Sequence, residues 1–153
     1  MKFREIDLKE AQSCIRKYHY GPLNNARICY GMELDGQIIA AAAFVDHRSE
    51  INRIGEVIAT AKNPDYPKLH MSHILKHCCL RLKQHYDMLV SYADAARARG
   101  ITFQGAHWNY HGIGPIGDYR LPPEKSETGW HLYWKPLSKK VKTELKNLPY
   151  PHV

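Results

Sequence analysis

The chain has 153 residues, of which 44% are hydrophobic and 24% are charged, and this predicts one globular domain over residues 1–153 with a sizeable core. No apolar run approaches the roughly 18 residues of a membrane span, and the N-terminus lacks a signal-peptide hydrophobic region, so we expect a cytoplasmic protein without a membrane partner. The net charge of +7 and the pI near 9.2 favour a polyanionic partner.

The first half of the chain predicts a helix followed by antiparallel strands. Asp7 and Glu10 have capping-box spacing at the start of an amphipathic segment. Asp35-Gly36 is typical of a tight hairpin turn. The predicted elements are a short strand at Phe3, a helix over about Leu8–Tyr18, and strands over Ile28–Leu34, Gln37–Val45 and Glu50–Ala59. A loop over Asn63–Pro67 then ends the third of these strands.

A second helix is predicted by an apolar stripe from Met71 to Leu82. A separate polar stripe contains His70, His73, His77 and Arg81. His73 and His77 are one turn apart, which is a spacing that suits a shared metal. Solvated histidines and a position near phosphates are the alternatives.

The second half of the chain alternates strands and helices. Met88–Val90 is predicted as a short buried strand, followed by a helix ending near Ala106 and an extended segment from Trp108. The closing strand is predicted over Gly129–Trp134 and a basic amphipathic helix over Ser138–Leu148. Together these elements predict an α/β (α+β) fold with a mixed, mostly antiparallel sheet, similar to the N-acyltransferase (GNAT) architecture, whose central sheet splays to admit a substrate.

A candidate site lies where the strand at Met88–Val90 ends, because ligands gather at the carboxyl edge of open sheets. The side chains there are those of Ser91, Tyr92 and Asp94, with Arg97, Arg99, Trp108, Asn109 and Tyr110 following. The alternative is that Tyr92 and Trp108 are core residues and that Asp94 caps a helix. The four cysteines lack metal-knuckle spacing and predict reduced, partly buried thiols.

Four segments resemble the phage Mom-like DNA-modification family. They are His19-Tyr20, Glu50-Ile51-Asn52-Arg53-Ile54, Ser91-Tyr92-Ala93-Asp94 followed by Gln104 to Gly112, and Leu148-Pro149-Tyr150-Pro151. The resemblance implies an enzyme that adds an acyl or carbamoylmethyl-type group to an exocyclic base amine, most often that of adenine, and so protects DNA from host restriction. It implies double-stranded DNA as partner and the host cytoplasm as location.

The resemblance also implies roles for individual residues. His19, Tyr20 and Asp94 correspond to proposed iron contacts, and Arg53 corresponds to the arginine of the Asn-Arg segment. A typical acetyl-CoA enzyme has a glycine-rich turn after the fourth strand. Here Ala59–Pro64 contains no glycine, which argues against acetyl-CoA and leaves the acyl donor unassigned.

In this hypothesis an extracted base stacks on aromatic rings while a positioned group removes a proton from its amine. Trp108 and Tyr110 are the predicted stacking residues, Asp94 or His19 the proton acceptor or metal ligand, and Arg53 the holder of a donor carboxylate or phosphate. Phosphate contacts are predicted for Lys139, Lys140, Lys142 and Lys146. Helix capping by His19, packing by Tyr20, a buried ion pair of Arg53 with Glu50 or Asp94, and a solvated lysine face are the structural alternatives.

Two further hypotheses compete with DNA-base modification. One is a basic DNA-binding protein without catalysis. The other is a CoA-dependent N-acetyltransferase acting on a small amine. The sequence leaves the oligomeric state open, with a homodimer as one option.

Overall fold

The computed structural model describes residues 1–18, 21–47, 53–94, 101–112 and 130–139. The elements in chain order are β1 (Lys2–Ile6), α1 (Leu8–Tyr18), β2 (Ile28–Leu34), β3 (Gln37–Asp46), β4 (Ile54–Lys62), α2 (Met71–Leu82), β5 (Met88–Asp94), α3 (Ile101–Gly105), β6 (Asn109–Gly112) and β7 (Trp130–Pro136). None of the helices in these ranges is both long and apolar enough to cross a membrane.

All seven strands form one sheet in the order β1-β2-β3-β4-β5-β7-β6. The strand pairs are antiparallel except for β4 and β5, which run parallel because α2 carries the chain back between them. The mixed, mostly antiparallel sheet predicted from the sequence is confirmed.

Local sequence signals account for the first elements. The Glu10 amide donates to Asp7 Oδ1 at 2.7 Å and the Asp7 amide donates to Glu10 Oε1 at 3.2 Å, which confirms the capping box. In the hairpin turn Asp35 and Gly36 have φ values of 50° and 77°, as a turn with two left-handed residues requires. The predicted bounds of α1 and β2 are therefore confirmed.

The two faces of the sheet carry separate cores. On one face α2 and α3 cover a cluster built around Phe44, Leu75 and Leu89. On the other face α1 packs on a smaller cluster that includes Ile15 and the alternating alanines of β3 and β4. Ala40–Ala43 are fully buried, and their small side chains allow close packing on both faces, as expected for a strand covered by helices.

Three predicted bounds are wrong. The third strand of the hairpin region begins at Ile54 and runs to Lys62, because its pairing with β3 continues to the Ala40↔Lys62 pair. Ser91–Asp94 belong to β5 instead of following it, since β7 pairs with them throughout. The closing strand covers Trp130–Pro136. Most of the predicted helix over 138–148 and the loop over 113–123 lie outside the described residues.

We expect Gly55→Ala to destabilise the fold by about 1–3 kcal/mol through overpacking. A Cβ at Gly55 would lie 2.8 Å from the Tyr86 ring and 2.9 Å from Leu89 Cδ2, so a buried ring or strand must shift. Urea unfolding measures the loss. Ser13→Ala, at an exposed position of α1, is the control and should stay within about 0.5 kcal/mol of the parent; an equal stability of the two variants would contradict the packing.

Candidate functional site

The most open feature of the sheet is the gap between β4 and β5. Their parallel ladder has four residue pairs, from Ile54↔Met88 to Val57↔Ser91. Beyond it β4 stays paired with β3 as far as Lys62, whereas β5 stays paired with β7 as far as Asp94. The two strands therefore separate where they pass Val57 and Ser91, and a wedge-shaped gap opens toward their carboxyl ends.

A β-bulge at Ile58 accompanies the separation. Phe44 pairs with Val57 and Ala43 with Ala59, so Ile58 is the extra residue of β4. The bulge changes which face the following side chains occupy: Val57 belongs to the core under α2, and Ala59 belongs to the core under α1.

The open edge of β4 carries backbone groups that point into the gap. The Asn63 amide donates to the Ile39 carbonyl of β3 at 2.8 Å. In an antiparallel ladder, alternate residues turn their N–H and C=O groups to opposite edges. Thr60 and Lys62, opposite Ala42 and Ala40, therefore direct their backbone groups toward the gap.

The turn after β4 and the start of α2 lie at the wide end of the gap. The predicted loop over Asn63–Pro67 is confirmed and extends over 63–70, whereas Ala59–Lys62, the first part of the stretch compared with a glycine-rich turn, are in β4. The turn contains no glycine and is held by Asn63, whose side chain accepts from the Asp65 amide at 2.9 Å. His70 is the N-cap without a side-chain cap bond, and a helix start attracts anions.

A buried polar cluster lies on the α1 face of the sheet, beside the narrow end of the gap. Tyr92, the first β5 residue beyond the parallel ladder, places its Oη 2.9 Å from His47 Nε2. Glu56 Oε1 lies 3.9 Å from the same nitrogen, and the His47 and Glu56 side chains are only 11% and 17% exposed. Sequence reasoning found Tyr92 but missed His47 and Glu56.

Arg53 lies at the amino end of β4, away from the wide end of the gap. It is 61% exposed, and its guanidinium is 3.3 Å from Asp87 Oδ1 and 3.4 Å from the Gln84 carbonyl. This exposure does not fit the alternative of a buried ion pair with Glu50 or Asp94, and the role of Arg53 as the holder of a donor group stays a prediction. A polar pocket of about 360 Å³ at this end is lined by Arg27, Asp46, His47, Arg53, Gln84 and His85, among others.

The other predicted site residues are dispersed. Trp108 is 6% exposed and packs on Phe103 with ring centroids 5.0 Å apart, so it belongs to the core under α2, and its stacking role stays a prediction. Ser91 is buried, Tyr110 packs on Tyr133 at 5.2 Å, and Asn109 and Lys139 are exposed. His19, Tyr20, Arg97, Arg99, Lys140, Lys142 and Lys146 lie outside the described residues.

The iron site and the His73–His77 metal site stay predictions. Asp94 is the last residue of β5, paired with Trp130, but the proposed partners of Asp94 fall in 19–20. Among the described residues no group of three or more His, Cys, Asp or Glu side chains is arranged to hold a metal. His77 instead contacts the Phe3 ring with centroids 5.2 Å apart.

The cysteines are unsuited to nucleophilic chemistry. All four are free and buried, as predicted from their spacing. Burial raises the pKa of the Cys14, Cys29 and Cys79 thiols to about 11 and raises the pKa of Cys78 well above its usual value. These thiols are therefore protonated at neutral pH and act as small apolar side chains.

Asp46 generates a pH-dependent prediction. Its carboxylate accepts from Tyr86 Oη at 2.7 Å and from Arg27 Nη1 at 2.7 Å, and these bonds, that of Tyr86 first, hold its pKa below the ordinary 3.8. A lowered folded-state pKa contributes stability that is present above pH 3.8 and is lost as the pH falls through the folded pKa.

We expect Asp46→Asn to remove part of the acid-induced loss of stability, by less than about 1 kcal/mol because the pair is exposed. Urea unfolding between about pH 2 and pH 6 measures it. Asp35→Asn, on the exposed hairpin turn, is the control. If both variants keep the parent's pH profile, the Asp46 bonds contribute nothing to stability.

Comparisons with known proteins show the fold. No protein-family model and no curated protein matches the chain. Among solved structures, it is similar to the ribosomal-protein-S18-alanine N-acetyltransferase from Escherichia coli (15% identity, 90% of this chain and 94% of that chain, TM-score 0.63). It is also similar to an acetyltransferase of the GNAT family from Streptococcus pneumoniae (15% identity, 90% of this chain and 99% of that chain, TM-score 0.64). A third similar structure is an N-acetyltransferase from Staphylococcus aureus Mu50 (10% identity, 89% of this chain and 97% of that chain, TM-score 0.60). The chain therefore has the GNAT-like fold expected from its order of elements.

Proposed function

We propose that the chain is an N-acyltransferase that moves an acyl group from a CoA thioester to an amine. The observation that carries the proposal is the gap between β4 and β5, where no described strand pairs with the edge of β4 beyond Val57. The similar solved structures are N-acetyltransferases, which supports the same class of reaction. This is the small-amine alternative of the sequence analysis, and the fold favours it over DNA-base modification.

The open edge of β4 suits the pantetheine arm of CoA. That arm is extended and carries amide groups, so it can add to the edge as a short extra strand. Thr60 and Lys62 supply the N–H and C=O groups that face the gap, as the Asn63–Ile39 bond indicates. The arm would then lead the thioester toward the narrow end of the gap, where Ser91 and Tyr92 lie.

The missing glycines do not exclude a pyrophosphate. The start of α2 supplies the N–H groups of a first helical turn and a positive dipole end, and the His70 side chain makes no cap bond to them. Lys68 is exposed there and adds positive charge, and the exposed His70 and His73 side chains offer ring N–H donors. A glycine-rich turn binds pyrophosphate with its backbone N–H groups. Here these side chains and the start of α2 would supply part of that binding.

The transfer requires a neutral amine and a protonated leaving group. The amine nitrogen attacks the thioester carbonyl, the C–S bond breaks, one proton leaves the nitrogen and one reaches the thiolate. Tyr92 and His47, 2.9 Å apart, form a pair able to pass a proton, and Glu56 lies next to it. Their position beside the narrow end of the gap favours this role.

Thr60→Pro tests the open edge, because it removes the N–H that faces the gap while a proline is tolerated at an unpaired strand edge. We expect acetyl-CoA affinity to fall by about 5- to 10-fold, the equivalent of one hydrogen bond, as measured by isothermal titration calorimetry. Thr60→Ala keeps the N–H and should bind like the parent. Equal affinity of the proline variant and the parent, with both folded, would remove the support for strand-like donor binding.

A second candidate is the modification of a DNA base amine by the same transfer. It rests on the net charge of +7 and on the Mom-like segments, with double-stranded DNA as partner, iron as a cofactor and His19, Tyr20 and Asp94 as its residues. An exocyclic amine is a weak nucleophile, so the base must leave the stack to meet the acyl carbon. The comparisons add no support for this substrate.

Mass spectrometry of nucleosides separates the candidates. If the base is the acceptor, DNA from cells that express the chain contains a new nucleoside that is absent with Asp94→Ala, and Asp65→Asn, at an exposed position, leaves it unchanged. Unmodified DNA together with acetylation of a small amine supports the first candidate. DNA that is bound but unmodified, without any acetylation, supports the non-catalytic DNA-binding hypothesis.

A further inference from the structure

A second surface feature lies at the opposite end of the sheet from the wide end of the gap. A groove of about 460 Å³ runs between α2 and the end of β7, with Cys79 and Pro136 among its lining residues. Its lysine lining residues are Lys76, Lys83, Lys135 and Lys139, and His107 also lines it. None of the described residues that line it is acidic, so the groove attracts anions.

The register places the groove away from the proposed donor site. Lys135 is opposite Leu89 and Pro136 is opposite Met88, at the amino end of β5, whereas the gap widens after Ser91. The groove is therefore distinct from the transfer site, and an anion bound in it would be a different ligand from the donor pyrophosphate.

The positive charge continues along the exposed face of α2. There is no Asp or Glu between Asp65 and Asp87. Apart from Lys68, already assigned to the proposed donor site, the exposed lysine and arginine side chains of this segment are Lys76, Arg81 and Lys83. Lys76 and Lys83 lie roughly 10 Å apart along the helix axis, so their charge, together with that of Lys135, forms a strip longer than one small anion.

In the part of the chain that the structure describes, the carboxylate of Asp87, a residue whose backbone is bonded to the groove lining, is directed to another partner. The backbone carbonyl of Asp87 accepts a hydrogen bond from the Leu137 amide at 2.7 Å. The Asp87 carboxylate, however, lies 3.3 Å from the Arg53 guanidinium. Lys135 donates one bond to the His107 carbonyl at 3.2 Å, which fixes the ammonium group beside the groove and leaves its charge in place. Leu80, 61% exposed, lies between Lys76 and Lys83 on the same helical stripe.

We propose that this strip and groove, defined by α2 and by Lys135, bind the phosphate backbone of double-stranded DNA. A long, straight basic strip fits a polymer with regularly spaced charges. An exposed helix face fits the major groove of B-form DNA, whereas the major groove of A-form RNA is too narrow to admit one. The proposal goes beyond the acyltransferase activity and holds whether or not DNA is the acceptor.

Fluorescence anisotropy with a labelled duplex of about 20 base pairs tests it, using the full chain at several salt concentrations. The triple variant Lys76→Gln, Lys83→Gln and Lys135→Gln removes three phosphate contacts. We expect affinity near 0.15 M salt to fall by about 10- to 100-fold and the slope of log K against log salt to decrease in magnitude by about 2.7.

A matched triple variant controls for net charge. Lys2→Gln, Lys9→Gln and Lys17→Gln removes the same charge from exposed positions of β1 and α1 and should change affinity by less than about threefold. Exchange of Lys76, Lys83 and Lys135 for Arg should keep binding, which together with unchanged thermal melting excludes a folding defect.

Three results would overturn the proposal. Equal losses in the two Gln variants would show that binding follows net charge alone. RNA duplex of the same sequence bound as tightly as DNA would contradict the B-form fit. If poly-glutamate displaces DNA when both are present at the same concentration of negative charge, the surface binds acidic protein segments as well as it binds DNA. Acetyl-CoA binding is measured separately. Loss of DNA binding with acetyl-CoA binding intact would count against this proposal alone, and the reverse would count against the acyltransferase proposal alone.

Discussion

The parallel contact between β4 and β5 is limited to four residue pairs, whereas each of the two strands forms a longer antiparallel ladder on its other side. β3 holds β4 through Lys62, and β7 holds β5 through Asp94. Strand twist rotates the two antiparallel halves of the sheet away from each other, and the bulge at Ile58 increases the local twist. The gap, the start of α2 and the position of Tyr92 all follow from this one divergence.

Tight packing behind the gap keeps it in place. Ala40–Ala43 are fully buried, so helices approach both faces of the central strand closely. Gly31 also allows close packing, since a Cβ there would lie 3.0 Å from Ile6 Cδ1 and 3.1 Å from the Ala40 carbonyl oxygen. Since β4 is paired with this closely packed strand as far as Lys62, the backbone of β4 beside the gap is held in position by β3.

Local signals in the sequence predicted the elements whose causes are local. The Asp7–Glu10 capping box, the Asp35-Gly36 turn and the apolar stripe of α2 each act within a few residues, and each is confirmed. The His47–Tyr92–Glu56 cluster was not predictable in this way, because it joins residues up to 45 positions apart and depends on the sheet register and the bulge. The open edge at Thr60 could not be predicted from the sequence for the same reason, because a strand that loses its partner carries no local sequence pattern.

Helix α2 connects the two ends of the molecule that carry proposed functions. It begins beside the wide end of the gap and ends in the basic groove, so its length of roughly 18 Å spans the distance between them. A duplex held along its exposed face would run from the groove toward the gap without entering it. If a base of that duplex is the acceptor, it must leave the stack to meet the acyl carbon.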